Sequence, residues 1–462
     1  MTVKRIRDPV HGLIKFEIDH EINPVDAVAW DLINTSEFQR LRRVKQLGVS
    51  EFTYPGATHT RFAHSIGVFH VARQLMKVVQ RDIPLAKRDE RRERVSCLAA
   101  LLHDIGHGPF SHAFENAEKA RLPKHEYKDH EDWTAELICR KDGKIRQIID
   151  EGFGKEQCVP DQIAEMLRGE KQDLYSSVVS SSFDADRLDY LRRDRLMTGS
   201  GAGAIDFEWL LDNLRVVEVP VLLGEDPEED AGVTIQVFAF DEKAIQAAES
   251  FILARFHLYS QVYTHKATRG IEQMLTQFLR IFSEEARKGR SGCLSVPENH
   301  PLRAYYAADP PNLNHYLALD DAVVWSAIEL SEKEGEGMIR DFAQRICSRK
   351  VLKCVSIDMV NPEKADIARK NFVEEKIKYQ TNKSVFVDRP KLSIYQDPNK
   401  ESVKPHKKVY IQRDGHKVVD IASLSKPVKA LLDEQDILRY YFINQDEREQ
   451  VLKITGETDV AA

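Results

Sequence analysis

The sequence predicts a mainly α protein with small β-hairpins and a mixed α+β C-terminal lobe. Three observations carry that expectation. Apolar residues recur at helical spacing over most of the first 290 residues, strand-like alternation is confined to short segments, and beyond Gly289 proline-rich breaks give way to helices and then strands. At 462 residues the chain can bury a sizeable core and suits two lobes better than one.

Residues 1–20 read as a strand pair, with "DPVHG" as the turn between "VKRI" and "LIKFEI". From Pro24 to about Ala86 the spacing is helical, and Val28, Leu32, Phe38, Leu41 and Leu47 fall on one buried face. Gly48, Pro55 and Gly56 interrupt that run before "RFAHSIGVFHVARQLMKVV" resumes it. The charged "KRDERRERV" reads as the solvated start of a helix that continues through "SCLAALLHDIG". "EDWTAELICR" and "PDQIAEMLRG" give two more helices, and in "SSSFDADRLDYLRRDRLMTG" Asp184 is a natural N-cap and Gly199 a natural stop. Residues 216–240 read as two strands joined by an acidic loop, a hairpin inserted on the surface. One long helix follows from Asp241 to about Lys288. A lobe boundary is expected between residues 289 and 315, dividing a core of residues 1–290 from an α+β lobe of residues 291–462. That lobe contains two amphipathic helices up to Arg349 and the strand-like "KLSIYQ" and "KKVYIQR".

Composition excludes several classes. With 42% apolar and 31% charged residues the chain is neither disordered nor membrane-embedded, and a net charge of −7 argues against a protein whose main task is to coat nucleic acid. No apolar run approaches bilayer length, and "MTVKRIRDPV" lacks a signal-peptide core, so a cytoplasmic protein is expected. Cys97, Cys139, Cys158, Cys293, Cys347 and Cys354 are scattered without a Cys-x-x-Cys pair. They read as reduced thiols, not as a disulfide frame or a thiolate zinc site.

The chemistry concentrates in "LLHDIGHGPFSH". His103 and Asp104 are adjacent and His107 follows four residues after His103, among leucines that should exclude polar groups with nothing to face. Imidazole nitrogen and carboxylate oxygen together suit a divalent metal such as Fe, Mn, Zn or Mg. Upstream, "RFAHS" places Arg61 one turn before His64, and downstream "DADRLDY" supplies Asp186. His64, His103, Asp104 and Asp186 give two imidazoles and two carboxylates, leaving coordination positions free for water and substrate as hydrolysis requires. Each part is ordinary alone. A lone histidine on an apolar helix is usually a hydrogen-bonded core residue, and a carboxylate in a first helical turn is stabilised there whatever its role. The order of all three motifs is what is specific.

Asp186, Tyr190 and Asp194 are spaced by four and share one helix side, and Arg255, Tyr259 and Tyr263 repeat that spacing. An aromatic stripe alone reads as core packing. Arg255 at its head, with His265 and Lys266 at its end, turns the reading toward a cleft wall.

These motifs resemble the HD-domain phosphohydrolase superfamily, and within it the deoxynucleoside triphosphate triphosphohydrolases. The likeness runs through "IRDPVHGLIKF", "FQRLRRVKQLG", "YPGATHTRFAHSIGV", "LLHDIGHGPFSH", "HED", "DADRLDYLRRD" and "ARFHLYSQVYTHK", and so covers roughly the first 290 residues. It implies an HD-domain helical core and a metal held by His64, His103, Asp104 and Asp186. His130 matches a general acid, Glu131 its orienting partner and His112 a further active-site histidine. Arg61, Arg187 and Arg255 match triphosphate-holding positions, with Arg187 where a relative has lysine, and His107 is expected to face the phosphates too. Tyr190, Asp194 and Tyr263 match residues around the sugar, and Gln46 with Leu47 the pair that senses its hydroxyls. The chain opens directly on the first strand of the core, so no sterile-alpha-motif domain is expected.

The implied reaction is metal-assisted hydrolysis of a dNTP to deoxynucleoside and inorganic triphosphate, with Mg or Mn accompanying the nucleotide. Several relatives are activated by guanine nucleotides bound between subunits. Lys4, Gln39 and Arg42 match that site, whereas Asn34 replaces the aspartate that reads guanine, so a nucleotide effector other than GTP is compatible with the pattern. A homo-oligomer, dimer or tetramer, is implied, with the C-terminal lobe serving assembly or regulation. Two rival readings stay open: another HD-domain phosphodiesterase or nuclease, and a nucleotide-binding regulatory module without turnover. The resemblance leaves base preference, native metal and biological role (pool control or antiviral defence) open.

Overall fold

The first strand pair closes on the side chain of Asp8. Its Oδ1 accepts from the amides of Val10 (2.9 Å) and His11 (3.0 Å), which holds the turn between antiparallel β1 (Thr2–Asp8) and β2 (Gly12–Ile18), with Lys4 opposite Phe16. The structure, a computed structural model, describes residues 2–170, 172–201, 203–220, 234–288, 295–308, 311–358, 384–398, 404–414, 417–432 and 435–455.

The fold is mainly α, as the periodicity predicts, but its helices are shorter. The stretch from Pro24 splits into α1 (Pro24–Ile33), α2 (Ser36–Arg40) and a tighter 3-10 turn at Leu41–Arg43. Asn34 turns its amide back onto Trp30 O (2.7 Å) and Thr35 accepts from Phe38 N, so a stop and a start meet in "INTSEF". Val28, Leu32, Phe38 and Leu41 are buried, whereas Leu47 lies past the last turn and is half-buried.

α3 (Arg61–Asp82) and α4 (Glu90–Leu102) pack at the centre. Phe69 of α3 stacks on Phe16 of β2, centroids 5.6 Å apart at 3°, and burying such a ring contributes about 1.5–3 kcal/mol. The chain continues through α5 (His112–Arg121), α6 (His130–Cys139), α7 (Lys144–Phe153), α8 (Val159–Leu167) and α9 (Leu174–Ser177). It then enters α10 (Ala185–Thr198), N-capped by Asp184, and α11 (Phe207–Asp212). The charged start of α4 is solvated only in part: Lys87, Asp89, Glu90 and Arg91 are exposed as the composition suggests, but the next two residues turn inward. Arg92 reaches Asp173 (2.7 Å) ahead of α9, and Glu93 accepts from Gln80 of α3 (2.8 Å), so both side chains are buried as cross-links.

The run from Asp241 divides into α12 (Ile245–Leu258), a π-helical turn at Tyr259–Tyr263, and α13 (Lys266–Arg287). Thr264 Oγ1 donates to Tyr259 O (2.8 Å) and His265 Nδ1 accepts from Ala267 N (3.2 Å), which ends one helix and starts the next. β3 (Leu214–Pro220) and β4 (Thr234–Asp241) form the expected hairpin, but it is not a lone surface insertion. β4 pairs in parallel with β8 (Tyr410–Gln412), which pairs with β9 (Val418–Asp420). In a second sheet β10 (Gln435–Phe442) lies antiparallel to β5 (Lys353–Asp358), β6 (Val385–Asp388) and β7 (Lys391–Leu392). Helices Asp321–Glu334 and Gly337–Cys347 are the expected amphipathic pair. The acidic loop at 221–233, residues 289–294 of the expected boundary, and Cys293 lie outside the described residues. The other five cysteines named above are free thiols. Among the described residues no helix is long and apolar enough to cross a membrane.

Candidate active site

Three elements bring the expected metal ligands together. α3 presents Arg61 and His64 from its first turn, α10 presents Asp186 from its own, and α4 stops at Leu102 so that His103 caps it and Asp104 lies in the turn beyond. His64 Nε2 is 3.0 Å from Asp186 Oδ1 and 3.8 Å from Asp104 Oδ2, and His103 Nε2 is 3.3 Å from Asp104 Oδ1 and 3.8 Å from Asp186 Oδ1. Both imidazole Nε2 atoms are buried yet make no hydrogen bond. Orphaned buried nitrogens facing carboxylates at these spacings fit a divalent metal, whose neighbouring ligands at about 2.1 Å lie roughly 3 Å apart.

The tautomers agree. His103 Nδ1 faces Ala100 O at 2.9 Å and His64 Nδ1 faces Asp189 Oδ2 at 2.7 Å, which leaves each Nε2 free to ligate. Burial disfavours a charged His64, but Asp186 and Asp189 outweigh it and push the group up to about 10. A cluster that attracts a proton so strongly attracts a metal cation for the same reason, and a metal must displace that proton.

Asp189 was not singled out by sequence, yet it anchors the site. It is fully buried, accepts from His11 Nε2 (2.6 Å), and takes a two-pronged contact from Arg193 (2.8 Å to each oxygen). Arg193 also donates to Asp8 Oδ2 (2.8 Å), so the turn of the N-terminal hairpin braces His64 through Asp189. A Cβ on Gly67 would collide with Asp189, which is why α3 can carry only glycine there. The signal was the i, i+4 Asp–Arg pair in "DYLRRD", hidden because both residues looked like charged surface.

The turn after the HD pair is held from outside. Arg40 donates to the carbonyls of Ile105 (3.0 Å), His107 (2.7 Å) and Leu319 (2.9 Å), and Tyr316 OH donates to Gly106 O (2.7 Å). A Cβ on Gly106 would strike Thr134 N and His130 O, so this glycine lets the turn lie against α6. Phe110 and Ser111 take positive φ values of 51° and 49°, a cost of about 1–3 kcal/mol each. That cost is offset where Phe110 N donates to Asp321 Oδ1 (2.8 Å) and Ser111 Oγ accepts from Arg61 Nη2 (2.8 Å). Arg61 also pairs with Asp104.

Beside the His64–His103–Asp186 cluster, His107 and His130 stack with centroids 3.8 Å apart. His130 Nδ1 is 2.7 Å from Glu115 Oε1, and His112 Nδ1 is 3.2 Å from Glu115 Oε2. The expected partner of His130, Glu131, is exposed on α6, so the assignment shifts to Glu115. The reason is direction: Glu131 follows His130 along one helix and points aside, whereas Glu115 approaches from α5. The i, i+3 spacing of His112 and Glu115 was the available clue. Burial disfavours a charged His130, but Glu115 raises its pKa above the ordinary value. Among the described residues, His107, Glu115 and His130 form the one other cluster able to hold a metal besides His64, His103 and Asp186.

A cavity of about 370 Å³ opens next to this apparatus, lined by Gln46, Leu47, Arg61, His112, Tyr190, Asp194 and Tyr263, together with Tyr259 and Glu272. Asp194 accepts from Tyr263 OH (2.6 Å) and meets His59 Nε2 at 2.8 Å. Arg187 and Arg255 stand outside that lining: Arg187 pairs with Asp184, and Arg255 donates to Ile394 O (2.7 Å) while lying over the Tyr259 ring (5.4 Å). Of the effector positions, Arg42 donates to Gln39 (2.8 Å) and stacks over Phe62 (3.5 Å), and Lys4 is exposed on β1. A larger cavity, about 780 Å³, lies between β2, α1, α3 and α4, but none of the metal-capable clusters among the described residues lies there.

Comparison with known proteins gives two family matches: the HD domain over residues 61–191 and the HD associated region over residues 233–292. The uncharacterized protein YwfO of Bacillus subtilis is 33% identical over 360 residues, 77% of this chain and 72% of YwfO. A deoxynucleoside triphosphate triphosphohydrolase SAMHD1 homolog of Dictyostelium discoideum is 29% identical over 377 residues, 73% of this chain and 65% of that protein. The chain thus spans less than two thirds of the Dictyostelium protein. Among solved structures, a phosphohydrolase from Bacteroides thetaiotaomicron shares the fold with a TM-score of 0.71 at 23% identity, over 96% of this chain and 100% of the other.

Proposed function

The chain belongs to the HD-domain phosphohydrolase family, and from that premise we propose that it is a deoxynucleoside triphosphate triphosphohydrolase. The observation that supports this reading most directly is the adjacency of three parts. A His64–His103–Asp186 cluster with Asp104 beside it, a His130–Glu115 pair and a cavity walled by Tyr190, Asp194 and Tyr263 all border one another. Held by the four cluster residues, a divalent metal (Fe, Mn, Zn or Mg) would supply Lewis acidity and lower the pKa of water.

In this reading the chain's own groups divide the remaining work. A water oxygen bonds to the α-phosphorus as the bond from phosphorus to the sugar 5′-oxygen breaks. The β- and γ-phosphates leave with the α-phosphate as inorganic triphosphate. Arg61 faces the charge that grows on the phosphoryl oxygens, and Asp104 and Ser111 fix its guanidinium. Glu115 holds His130 Nδ1, so the proton delivered to the leaving 5′-oxygen is the one on Nε2. Tyr190, Asp194 and Tyr263 pack around the sugar, Gln46 and Leu47 meet its hydroxyl edge, and His107, His112, Arg187 and Arg255 meet the phosphates. Lys4, Gln39 and Arg42 form a nucleotide effector site in a homo-oligomer that residues 291–462 help assemble.

Incubation with each dNTP and Mn²⁺ or Mg²⁺, followed by chromatography, tests the reaction. Deoxynucleoside plus triphosphate is the expected outcome. Nucleoside monophosphate with pyrophosphate, cleavage of a diester instead, or no turnover would each overturn it. The acid assignment has its own test. His130 donates only while protonated, so kcat/KM should fall at alkaline pH, with a midpoint above the ordinary histidine value of about 6.5. Glu115→Gln removes the charge that raises the pKa and should move that limb to lower pH, and His130→Gln should abolish it. An unmoved limb in Glu115→Gln would rule the pair out.

A further inference from the structure

We infer that Lys407, from the C-terminal segment, is a substrate-binding residue that closes a three-cation cradle with Arg187 and Arg255 around the outer phosphates. The inference rests on the proposed reading, in which the α-phosphate lies at the metal cluster and two more phosphates extend beyond it.

The backbone of residues 406–407 is docked beside the start of α10. Ser182 N donates to His406 O (3.1 Å) and Ser182 Oγ donates to Lys407 O (2.5 Å), just ahead of Asp184, the N-cap of the helix that carries Asp186. The main chain is therefore fixed, while the ammonium is barely used: its one hydrogen bond among the described residues is a long contact to Ser180 Oγ (3.4 Å). Neither Lys407 nor Arg255 has an ion pair among the described residues, and the Nε atoms of Arg187 and Arg255 are buried with no partner.

Burial lowers the Lys407 pKa, and the charges of Arg187 and Arg255 lower it further, against the opposing Asp184. Three cations drawn together with one paired carboxylate repel one another unless an anion joins them, and a polyphosphate supplies the missing charge. Tyr190 ties this group to the cavity. It lies one turn after Arg187 on α10, meets the Tyr263 ring edge-on (centroids 6.2 Å apart) and lines the cleft. Two of the cations come from α10 and α12, but the third comes from more than 140 residues further along the chain, so the C-terminal segment would reach the substrate itself.

Calorimetric titration of inorganic triphosphate into the Mn²⁺-loaded protein, run beside dNTP kinetics, tests the inference. Lys407→Gln and Lys407→Met should both weaken triphosphate binding and raise KM by on the order of tenfold to a hundredfold, with kcat little changed. Lys407→Arg should restore most of both. Unaltered triphosphate binding in the two neutral variants, a loss that Lys407→Arg fails to rescue, or a wild-type protein that does not bind triphosphate would overturn it. Triphosphate binding that depends on Lys407 in a protein without dNTP turnover would instead overturn the proposed reaction and keep the anion site.

Discussion

Asp186→Asn should lose its divalent metal and at least about 10³-fold of turnover while melting close to the wild type. Asparagine keeps the shape and removes one of the cluster's carboxylate charges. The Asp186 side chain is 32% exposed, and Asp184 still caps the helix, so folding loses little. Asp104→Ala should also abolish metal binding, but with a stability cost, because it leaves the buried Arg61 guanidinium without its carboxylate. Elemental analysis after dialysis, with a thermal melt on the same sample, reads both quantities. Metal retained at wild-type stoichiometry, or full activity, in Asp186→Asn would remove that residue from the centre. The effect should also carry a pH signature. His64 is held protonated up to about 10 by its two carboxylate neighbours in the metal-free protein, so wild-type loading improves as pH rises. Removing Asp186 weakens the hold on that proton as well as on the metal.

A side chain's role is legible in the sequence where its partners lie close along the chain. His103 and Asp104 are adjacent, and Arg61 with His64 share a helical turn, so their pattern is local and readable. Glu115, Asp189 and Arg40 act through contacts that only folding creates: Arg40 reaches Leu319, 279 positions away. The helix breaks were written in capping residues such as Asn34 and Thr35, but hydrophobic periodicity outweighed them. The sheet that joins β4 to β8 has no local signature at all, because parallel pairing between distant strands is set by tertiary packing. Glu131 illustrates the converse error. The resemblance implied the neighbouring carboxylate, whereas the imidazole takes the one that geometry brings to its Nδ1.

The largest loss of stability should come from a residue that never meets substrate. Arg193 is 1% exposed and joins Asp189 to Asp8, so Arg193→Met leaves two buried carboxylates without their cation. Breaking a buried pair this way costs about 3–5 kcal/mol, a large share of the roughly 5–15 kcal/mol that holds a domain folded. The pH dependence has a definite sign. Burial raises the Asp189 pKa, but Arg193 and the histidines hold it well below the ordinary carboxylate value in the wild type. That contribution is therefore present at neutral pH and is lost only as strongly acid pH protonates the folded group. In Arg193→Met the Asp189 pKa rises, the folded state takes up a proton more readily than the unfolded one, and the deficit narrows as pH falls. Urea midpoints from pH 5 to 8 should thus diverge most at the alkaline end. Asp189→Asn added to Arg193→Met removes one uncompensated charge and should recover part of the stability. It should not recover metal affinity, because His64 Nδ1 then faces a neutral amide where the wild type has a carboxylate, a change worth about 10–100-fold in binding. Recovery of both together would mean that Asp189 supports only the fold; recovery of stability alone would identify it as the group that holds His64 ready for a metal.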